Sequence, residues 1–249
     1  CKGSRFVADS APNPSDLDRA ILVAASAGMI LGMGPSGLEL LVAGERPGTG
    51  VRGEIESSLA RRLDSGHPLR RIVSGLADTP GPIIDATAGL GGDAAIVAAS
   101  SSRQVMACER NPVVAALLED GRRRAIESGY EPAARIKIHR GDAIEFLAAQ
   151  RVAPSLVMLD PMYPPRRKSS ALPPKPMQRL RSLLGEDQAD VVSGIVALLV
   201  AAETVGAARI VLKRPPDVPT PESPLGPPTF EIPTKLLRWS VWERRNTTG

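Results

Sequence analysis

The sequence predicts an α/β protein built on a mostly parallel sheet with helices on both faces. Two observations support this prediction. Short apolar segments that suit strands alternate with longer segments that suit helices, which is the pattern of right-handed crossovers in a parallel sheet. A glycine-rich turn also follows the first apolar segment. The predicted strands begin at residue 82 and continue at residues 104–108, 135–139, 156–159 and 209–213, and the predicted helices lie at residues 94–99, 113–128 and 190–206.

The glycine-rich turn predicts a binding site for a cofactor. Residues 82–93 have the pattern of a strand, a turn and the start of a helix, where glycines let the backbone approach a ligand closely. Asp85 stands four residues before Gly89, and Gly91 completes a D-x-x-x-G-x-G pattern, whereas the nicotinamide fingerprint is G-x-G-x-x-G. The carboxylate of Asp85 would repel a pyrophosphate but attract the amino-acid end of S-adenosylmethionine. The spacing therefore favours S-adenosylmethionine.

Acidic residues follow the next predicted strands as well. Glu109 comes directly after the second strand, where a carboxylate typically binds both ribose hydroxyls. Asp142 follows the third strand and is expected to accept the adenine amino group. Each acid alone is more typical of a helix cap or a turn. Because ligands bind outside the carboxyl ends of parallel strands, we expect these acids to share one edge of the sheet with Asp85 and Asp160.

Residues 160–165 have the chemistry needed to hold an exocyclic amine for methylation. The lone pair of such an amine is delocalised into the base, so a catalyst must bind its N–H groups and aim the nitrogen at an electrophile. Asp160 and the carbonyl of Pro161 are the expected acceptors, and Tyr163 is expected to stack on the flipped base. An ordinary turn, in which the aspartate caps and the proline fixes φ, explains the same residues without a function.

Four segments together resemble the ribosomal small subunit methyltransferase J family. They are residues 85–93, 109–121, 159–164 and 211–215. The resemblance implies a Rossmann-like class I methyltransferase with a mostly parallel, seven-stranded sheet and a small N-terminal appendage. It also implies methylation of the N2 amine of a guanine in 16S rRNA, with S-adenosylmethionine as the cofactor. The cofactor contacts that it implies are Gly92, Asp93, Glu109, Arg110, Gly141, Asp142 and Asp160.

Two departures from the family pattern affect this transfer. The basic, glycine-rich segment that precedes the family's core corresponds here to residues 60–71, which keep arginines but lose most glycines. The family's serine pair in the third-strand turn is replaced by Gly141 and Asp142, which is closer to the general methyltransferase pattern. The RNA-facing half is therefore less well supported by the resemblance than the cofactor half.

The sequence predicts two parts along the chain. Residues 1–80 form an appendage with a hairpin at 29–33 and 38–42 and a basic helix at about 54–75, on the substrate side. Residues 81–249 form the S-adenosylmethionine-dependent methyltransferase domain, ending in strands near 230–232 and 236–242 after a proline-rich loop. The prolines at 173, 174 and 176 predict a stiff, extended loop after residue 165.

Charge is consistent with a polyanionic partner. The net charge is +4, and the basic residues expected to contact RNA phosphates are Arg61, Arg62, Arg166, Arg167, Lys168 and Lys213. A solvated strand end is an equally good interpretation of Lys213. Arg122, Arg123 and Arg124 are expected to be solvated helix charges. Aromatic residues make up only 3%, which excludes an extended stacking platform for single-stranded RNA.

Composition excludes several other classes of protein. The apolar run at residues 20–33 is too short and too interrupted to cross a bilayer, so no membrane contact is expected. Two cysteines, Cys1 and Cys108, form no disulfide framework, which favours the reducing cytoplasm. His67 and His139 lack metal-ligand spacing, and no metal is expected.

Three other functions stay open at this level. A methyltransferase for adenine N6 of DNA or RNA, or for a protein glutamine, would need nearly the same carboxylate and aromatic ring. A cofactor-binding ribosome assembly factor without catalysis would keep the cofactor pattern, but Asp160 and Tyr163 argue against it. A nicotinamide oxidoreductase is disfavoured by the spacing of Asp85.

Overall fold

A seven-stranded sheet forms the centre of the molecule in the computed structural model, which describes residues 14–55, 66–76, 79–163, 175–185 and 189–244. A separate two-stranded sheet precedes it. The strands are β1 (Met29–Gly34), β2 (Gly37–Val42), β3 (Ile83–Asp85), β4 (Val105–Glu109), β5 (Ile136–Arg140), β6 (Leu156–Leu159), β7 (Arg209–Arg214), β8 (Phe230–Pro233) and β9 (Arg238–Glu243).

The helices alternate with the parallel strands as the sequence predicts. They are α1 (Pro14–Ser26), α2 (Pro68–Ser74), α3 (Gly92–Ser100), α4 (Pro112–Glu127), α5 (Ala143–Ala148), α6 (Lys175–Leu184) and α7 (Ala189–Thr204), with a 3₁₀ turn at Glu131–Arg135. Asn111 caps α4, because its side-chain oxygen accepts hydrogen bonds from the N–H groups of Val113 and Val114. Pro112 occupies the first turn, where its missing N–H costs nothing.

The sheet order confirms the predicted fold class. From edge to edge it is β5-β4-β3-β6-β7-β9-β8. The strands β3 to β7 are parallel, and β9 pairs antiparallel with both β7 and β8. The chain first builds outward from β3 to β5 and then returns to add β6 on the other side of β3. That reversal opens a crevice at the carboxyl ends of β3 and β6, where such folds bind ligands.

Helices cover both faces of this sheet because alternate strand residues point to opposite sides. On one face, Ile83, Val105 and Met158 pack with apolar residues of α2, α3 and α4 in the first core cluster. On the other face, Ile84 and Val157 pack with residues of α5 and α7 in the second core cluster. The sheet is therefore buried on both sides, as its short apolar strands predict.

The N-terminal hairpin predicted at residues 29–33 and 38–42 is confirmed. β1 and β2 pair antiparallel, with Met33 opposite Leu38, and they pack with α1 and α4 in a third core cluster. The N–H of Leu38 donates to Asp120 Oδ2 of α4 at 3.0 Å. Gly53 lies so close to α4 that a Cβ there would stand 2.2 Å from the Leu117 carbonyl oxygen. The N-terminal region is thus docked directly on α4.

Three points of the predicted local structure need correction or completion. Glu54 and Ile55 are not helical, and the described helix α2 begins only at Pro68, while residues 56–65 lie outside the described part. Pro176 lies in the first turn of α6 and not in an extended loop, since proline suits that position. The sequence did not predict α1, because its apolar residues merge with those of β1 into one run.

The expectation that residues 122–124 are solvated is wrong for two of the three arginines. Arg122 is buried, and its Nε donates to the Ile136 carbonyl at 2.6 Å. Arg124 donates from Nε to Asp120 at 2.7 Å and from Nη2 to the Gly53 carbonyl at 3.2 Å. Both guanidinium groups lie where α4 meets a neighbouring segment, so their charges satisfy backbone carbonyls and carboxylates.

No helix among the described residues has the length and apolar character to cross a membrane.

Candidate active site

The glycine-rich turn after β3 is shaped for close backbone approach. Gly91 has a φ of +90°, a conformation that favours glycine, and a Cβ there would stand 2.5 Å from Leu118 Cδ1 and 2.8 Å from Ile55 Cγ1. Gly91, the residue before α3, makes no side-chain cap, and the helix begins at Gly92. Among the described residues, no side chain accepts from the first N–H groups of α3, which lie next to the crevice.

Asp85 lies at the base of this turn as a buried carboxyl group. Its Oδ1 accepts a hydrogen bond from the N–H of Thr87 at 3.2 Å, and its buried Oδ2 has no hydrogen-bond partner among the described residues. Burial, together with the charge of Asp93, raises the pKa of Asp85 to about 8. The group is thus largely protonated near neutral pH, and a cationic amine beside it would favour the ionised form.

Glu109, at the end of β4, is fixed by the backbone. Its Oε2 accepts from the N–H of Gly89 at 3.1 Å and its Oε1 from the N–H of Asn111 at 2.7 Å. Burial raises the pKa of Glu109, and these two hydrogen bonds oppose that rise. A carboxylate offers about four acceptor positions, so two such bonds leave capacity for a pair of ribose hydroxyls. Glu109, the residue expected to bind the ribose hydroxyls, is therefore held in place before the cofactor arrives.

Gly141 and Asp142 lie beside Glu109 at the end of β5. The N–H of Gly141 donates to the Glu109 carbonyl at 3.1 Å, which joins the two strand ends. Asp142 caps α5, with Oδ1 accepting from the N–H groups of Ile144 at 2.8 Å and Glu145 at 3.3 Å. Glu109, Arg110, Gly141 and Asp142 all line one cavity of about 250 Å³. Four of the sequence-predicted cofactor residues therefore meet in one place.

Asp160 follows β6 on the other side of β3. Its N–H donates to the Thr87 hydroxyl at 2.6 Å, and its Oδ2 lies 2.7 Å from the Lys213 ammonium. The side chain nevertheless keeps 42% of its surface exposed, so a further donor has access to the carboxylate. Thr87 was not predicted from the sequence, although it lies within the glycine-rich turn that was. It joins that turn to the start of the Asp160 motif.

Lys213 joins α3, β6 and β7 through its ammonium group. Nζ lies 2.8 Å from Asp93 Oδ2 and 2.7 Å from Asp160 Oδ2, and it stands 5.2 Å from the centre of the Trp239 ring. Burial lowers the pKa of Lys213, but the charges of Asp93 and Asp160 outweigh it and leave the pKa above its usual value. Lys213 is therefore a permanent cation that is held by two carboxylates.

Tyr163 is half-buried at the end of the Asp160 motif. Its ring packs against the second core cluster, and its carbonyl accepts a hydrogen bond from Arg181 Nη2 at 3.0 Å. The hydroxyl is buried without a hydrogen-bond partner among the described residues, and burial raises the pKa of this phenol. The ring is thus anchored on one side by the protein core, and its role in base stacking stays a prediction.

Some residues singled out from the sequence lie outside the described part of the chain, and two histidines pack against aromatic rings. Arg61, Arg62, Arg166, Arg167 and Lys168, which were expected to contact RNA, lie outside the described residues. His67 and His139 pack edge-on against Trp239 and tilted against Phe146, respectively. In the described part of the chain, no group of three potential ligands could hold a metal ion.

These features define a class of protein. A doubly wound parallel sheet, a glycine-rich turn after its first strand, a ribose-type acid after the second and an exposed carboxylate across the crevice are those of a class I S-adenosylmethionine-dependent methyltransferase. A family model described as "Putative SAM-dependent methyltransferase" matches residues 21–244.

Relatives narrow this class to one family. The chain is 36% identical over 227 residues to Ribosomal RNA small subunit methyltransferase J of Ectopseudomonas mendocina, a match that covers 88% of this chain and 84% of that relative. It is 37% identical over 233 residues to the protein of the same name from Chromohalobacter salexigens, covering 89% and 88%. The chain belongs to the ribosomal RNA small subunit methyltransferase J family.

A solved structure agrees with this assignment. The crystal structure of a SAM-dependent methyltransferase from Neisseria gonorrhoeae superposes with a TM-score of 0.66 at 27% sequence identity. The superposition covers 96% of this chain and 95% of that one. The likeness therefore extends to the N-terminal region as well as to the central sheet.

Proposed function

We propose that this chain transfers a methyl group from S-adenosylmethionine to the exocyclic N2 amine of a guanine in 16S rRNA. The observation that supports it most directly is the position of Asp160 at the mouth of the cofactor crevice, where its N–H donates to the Thr87 hydroxyl and its partly exposed carboxylate is held by Lys213. Family membership supports the substrate class. Small-subunit rRNA is accordingly the proposed partner and the cytoplasm the proposed location.

The residues around β3, β4 and β5 are suited to hold the cofactor. When bound, S-adenosylmethionine supplies an electrophilic methyl group on its sulfonium. Asp85 would face the amino-acid end, Glu109 the ribose hydroxyls and Asp142 the adenine amine, while the backbone of Gly89 and Gly91 permits close approach. Gly92, Asp93, Arg110, Gly141 and Asp160 complete the proposed cofactor set. Asp85 Oδ2, which has no hydrogen-bond partner in the described part of the chain, fits a ligand that carries a cationic amine.

Asp160 and the carbonyl of Pro161 would hold the acceptor amine. Hydrogen bonds from the two amine hydrogens to these oxygens favour a more tetrahedral nitrogen and fix its direction. Nitrogen becomes cationic and strongly acidic after methylation, and the Asp160 carboxylate lies where it can take up the released proton. The Lys213 ammonium keeps that carboxylate oriented. Residues of this chain thus account for positioning and for the proton without a covalent intermediate.

RNA would be positioned by shape and phosphate contacts more than by base reading. A guanine must leave its stack to reach Asp160, and Tyr163 is the aromatic side chain that we expect to stack on it. Arg61, Arg62, Arg166, Arg167 and Lys168 remain the proposed phosphate contacts. The net charge of +4 is consistent with such contacts.

The test is methyl transfer from radiolabelled S-adenosylmethionine to small ribosomal subunits from cells that lack the gene. Digestion of the RNA and separation of its nucleosides should place the label in N2-methylguanosine. A Glu203→Gln variant, which changes an exposed acid on α7, serves as the matched control for a change at Asp160 and should label as the wild type does. Label in another nucleoside or in protein would contradict the proposed target, and absence of label despite binding of S-adenosylhomocysteine would point to the non-catalytic alternative. Preferential binding of NADH would contradict the cofactor.

A further inference from the structure

The cavity that collects the predicted adenosine ligands has a wall that no cofactor motif includes. Besides Glu109 and Asp142, it is lined by Asp16, Leu17 and Arg19 of α1. These α1 residues precede the central sheet in sequence, and the sequence predicted their region to lie on the substrate side. The tertiary fold brings α1 to the carboxyl ends of β4 and β5.

A specific ion pair holds α1 at this place. Arg140, the last residue of β5, donates from Nη1 to Asp16 Oδ2 at 2.8 Å, and its Nη2 lies 3.6 Å from Glu119 Oε2 of α4. Ala20 and Ala24 are fully buried on the inner side of α1, and Leu17 packs against the same third cluster. Arg140 therefore joins α1 to the strand end that carries Gly141 and Asp142.

The segment that follows α1 is anchored to the cofactor half at further points. Asp120 accepts from the N–H of Leu38 and from Arg124, and burial's tendency to raise its pKa is outweighed by hydrogen bonds that lower it. The N–H of Glu54 donates to the Leu90 carbonyl of the glycine-rich turn at 2.7 Å. The N-terminal region is thus attached to the turn and to α4, both of which border the cofactor crevice.

The size and chemistry of the cavity fit a nucleoside. Its volume of about 250 Å³ is below the roughly 300–1,000 Å³ of pockets that hold a whole drug-sized ligand. The strand-end carboxylates offer acceptors for hydroxyl and amino hydrogens, and Leu17, Pro112 and Ala116 offer apolar surface for a base. The lining also includes Arg19, Arg110 and Arg140, whose charges are balanced by those of Asp16, Glu109 and Asp142. A lining with no net charge matches an uncharged base and ribose.

We propose that α1 is the outer wall of the adenosine site, with Leu17 contacting the adenine-ribose moiety and the Asp16–Arg140 ion pair holding the helix closed over it. This inference rests on the cofactor assignment in the proposed function. Leu17 is a binding residue in this arrangement, and Asp16 and Arg140 are positioning residues. The N-terminal region thereby contributes to cofactor affinity.

Calorimetric titration tests this with two ligands that share adenosine. S-adenosylhomocysteine carries the amino-acid end, and 5′-methylthioadenosine lacks it. Leu17→Ala should weaken both by about fivefold, because a lost apolar contact of this size corresponds to roughly 1 kcal/mol. Asp16→Asn should weaken both by about two- to fivefold, as expected for a partly exposed ion pair. Leu22→Ala and Asp18→Asn, at exposed positions of the same helix outside the cavity lining, should leave both affinities unchanged.

Steady-state kinetics with small subunits separates the alternatives. The wall role predicts a raised KM for S-adenosylmethionine in Leu17→Ala and an unchanged KM for the RNA particle. Unchanged titrations combined with a raised KM for the particle would overturn the inference and place α1 against RNA.

Thermal unfolding of Asp16→Asn shows whether a loss of affinity comes from a folding defect. The Asp16 side chain is half-exposed, so the variant should unfold at nearly the wild-type temperature. If methylation of RNA failed while wild-type titrations succeeded, only the acceptor assignment would fall; if wild type bound neither ligand, the cofactor assignment would fall with this inference.

Discussion

The two halves of the crevice hold their key carboxylates in different ways. Glu109, in the cofactor half, accepts hydrogen bonds from two backbone N–H groups. Asp160, in the acceptor half, is held by the Lys213 ammonium, and only its own N–H is fixed, by Thr87. Backbone donors persist through most side-chain substitutions, whereas a single substitution of either partner removes an ion pair. The cofactor half should therefore tolerate neighbouring mutations that the acceptor half does not.

The largest expected effect comes from the acceptor carboxylate itself. Asp160→Asn replaces one acceptor oxygen by an amide donor, and turnover should fall by about 10²- to 10³-fold, the usual loss when a preorganised electrostatic contact is removed. Much of the affinity for S-adenosylhomocysteine should persist, because the backbone-held contacts to the cofactor are untouched. Single-turnover methylation and calorimetry measure the two quantities. Near-normal turnover would show that Asp160 does not hold the amine.

A smaller loss is expected for its positioning partner. Lys213→Met should reduce turnover by about 10- to 100-fold, since a freed carboxylate samples other orientations. Burial raises the pKa of Asp160, and the Lys213 charge opposes that rise. Removing the charge should therefore raise the pKa further and move the acid limb of the pH–rate profile to higher pH. Compared with Lys213→Met, Lys213→Arg should keep more of the turnover and show a smaller shift of the acid limb. An unshifted pH profile in Lys213→Met would contradict the positioning role.

The pH dependence of stability tests the buried acid between the two halves. The folded-state pKa of Asp85, about 8, exceeds the unfolded value of 3.8, so the native state binds more protons in that window. Stability should fall as pH rises through it, by about 2–3 kcal/mol between pH 6 and pH 9. Asp85→Asn, which is isosteric, should lack this component. Urea denaturation at both pH values provides the comparison, and equal slopes in the two proteins would rule out a buried, protonated Asp85.

The smallest effect tests the tolerance of the cofactor half. Asn111→Ala removes the cap of α4 and should lower the free energy of unfolding by about 1 kcal/mol. The N–H of residue 111 still donates to Glu109, so affinity for S-adenosylhomocysteine should change by less than about twofold. Chemical denaturation and calorimetry check both statements. A large affinity loss would mean that Glu109 depends on the cap and not on the backbone alone.

Much of the fold was predictable because its signals are local. A strand, a glycine turn and a helix follow one another within residues 82–100, and the acids of β4, β5 and β6 lie directly after their strands. The parallel arrangement then brings these strand ends to one edge. By contrast, α1 was missed, since its apolar residues run into those of β1 without a boundary that composition reveals. Pro176 was misassigned because proline suits both a loop and a first helical turn.

The sequence by itself therefore determined the fold class, the family and the set of acids at the carboxyl edge. Only the tertiary structure decided which side chains meet them. Lys213 reaches Asp93 and Asp160, Arg140 reaches Asp16, and Arg122 is buried against a neighbouring strand. These partners are far apart in sequence, and no local pattern or spacing encodes them. The order of the strands in the sheet and the packing of α1, α3 and α4 onto it bring them together. Buried or half-buried charges require a partner, and only the folded chain supplies it.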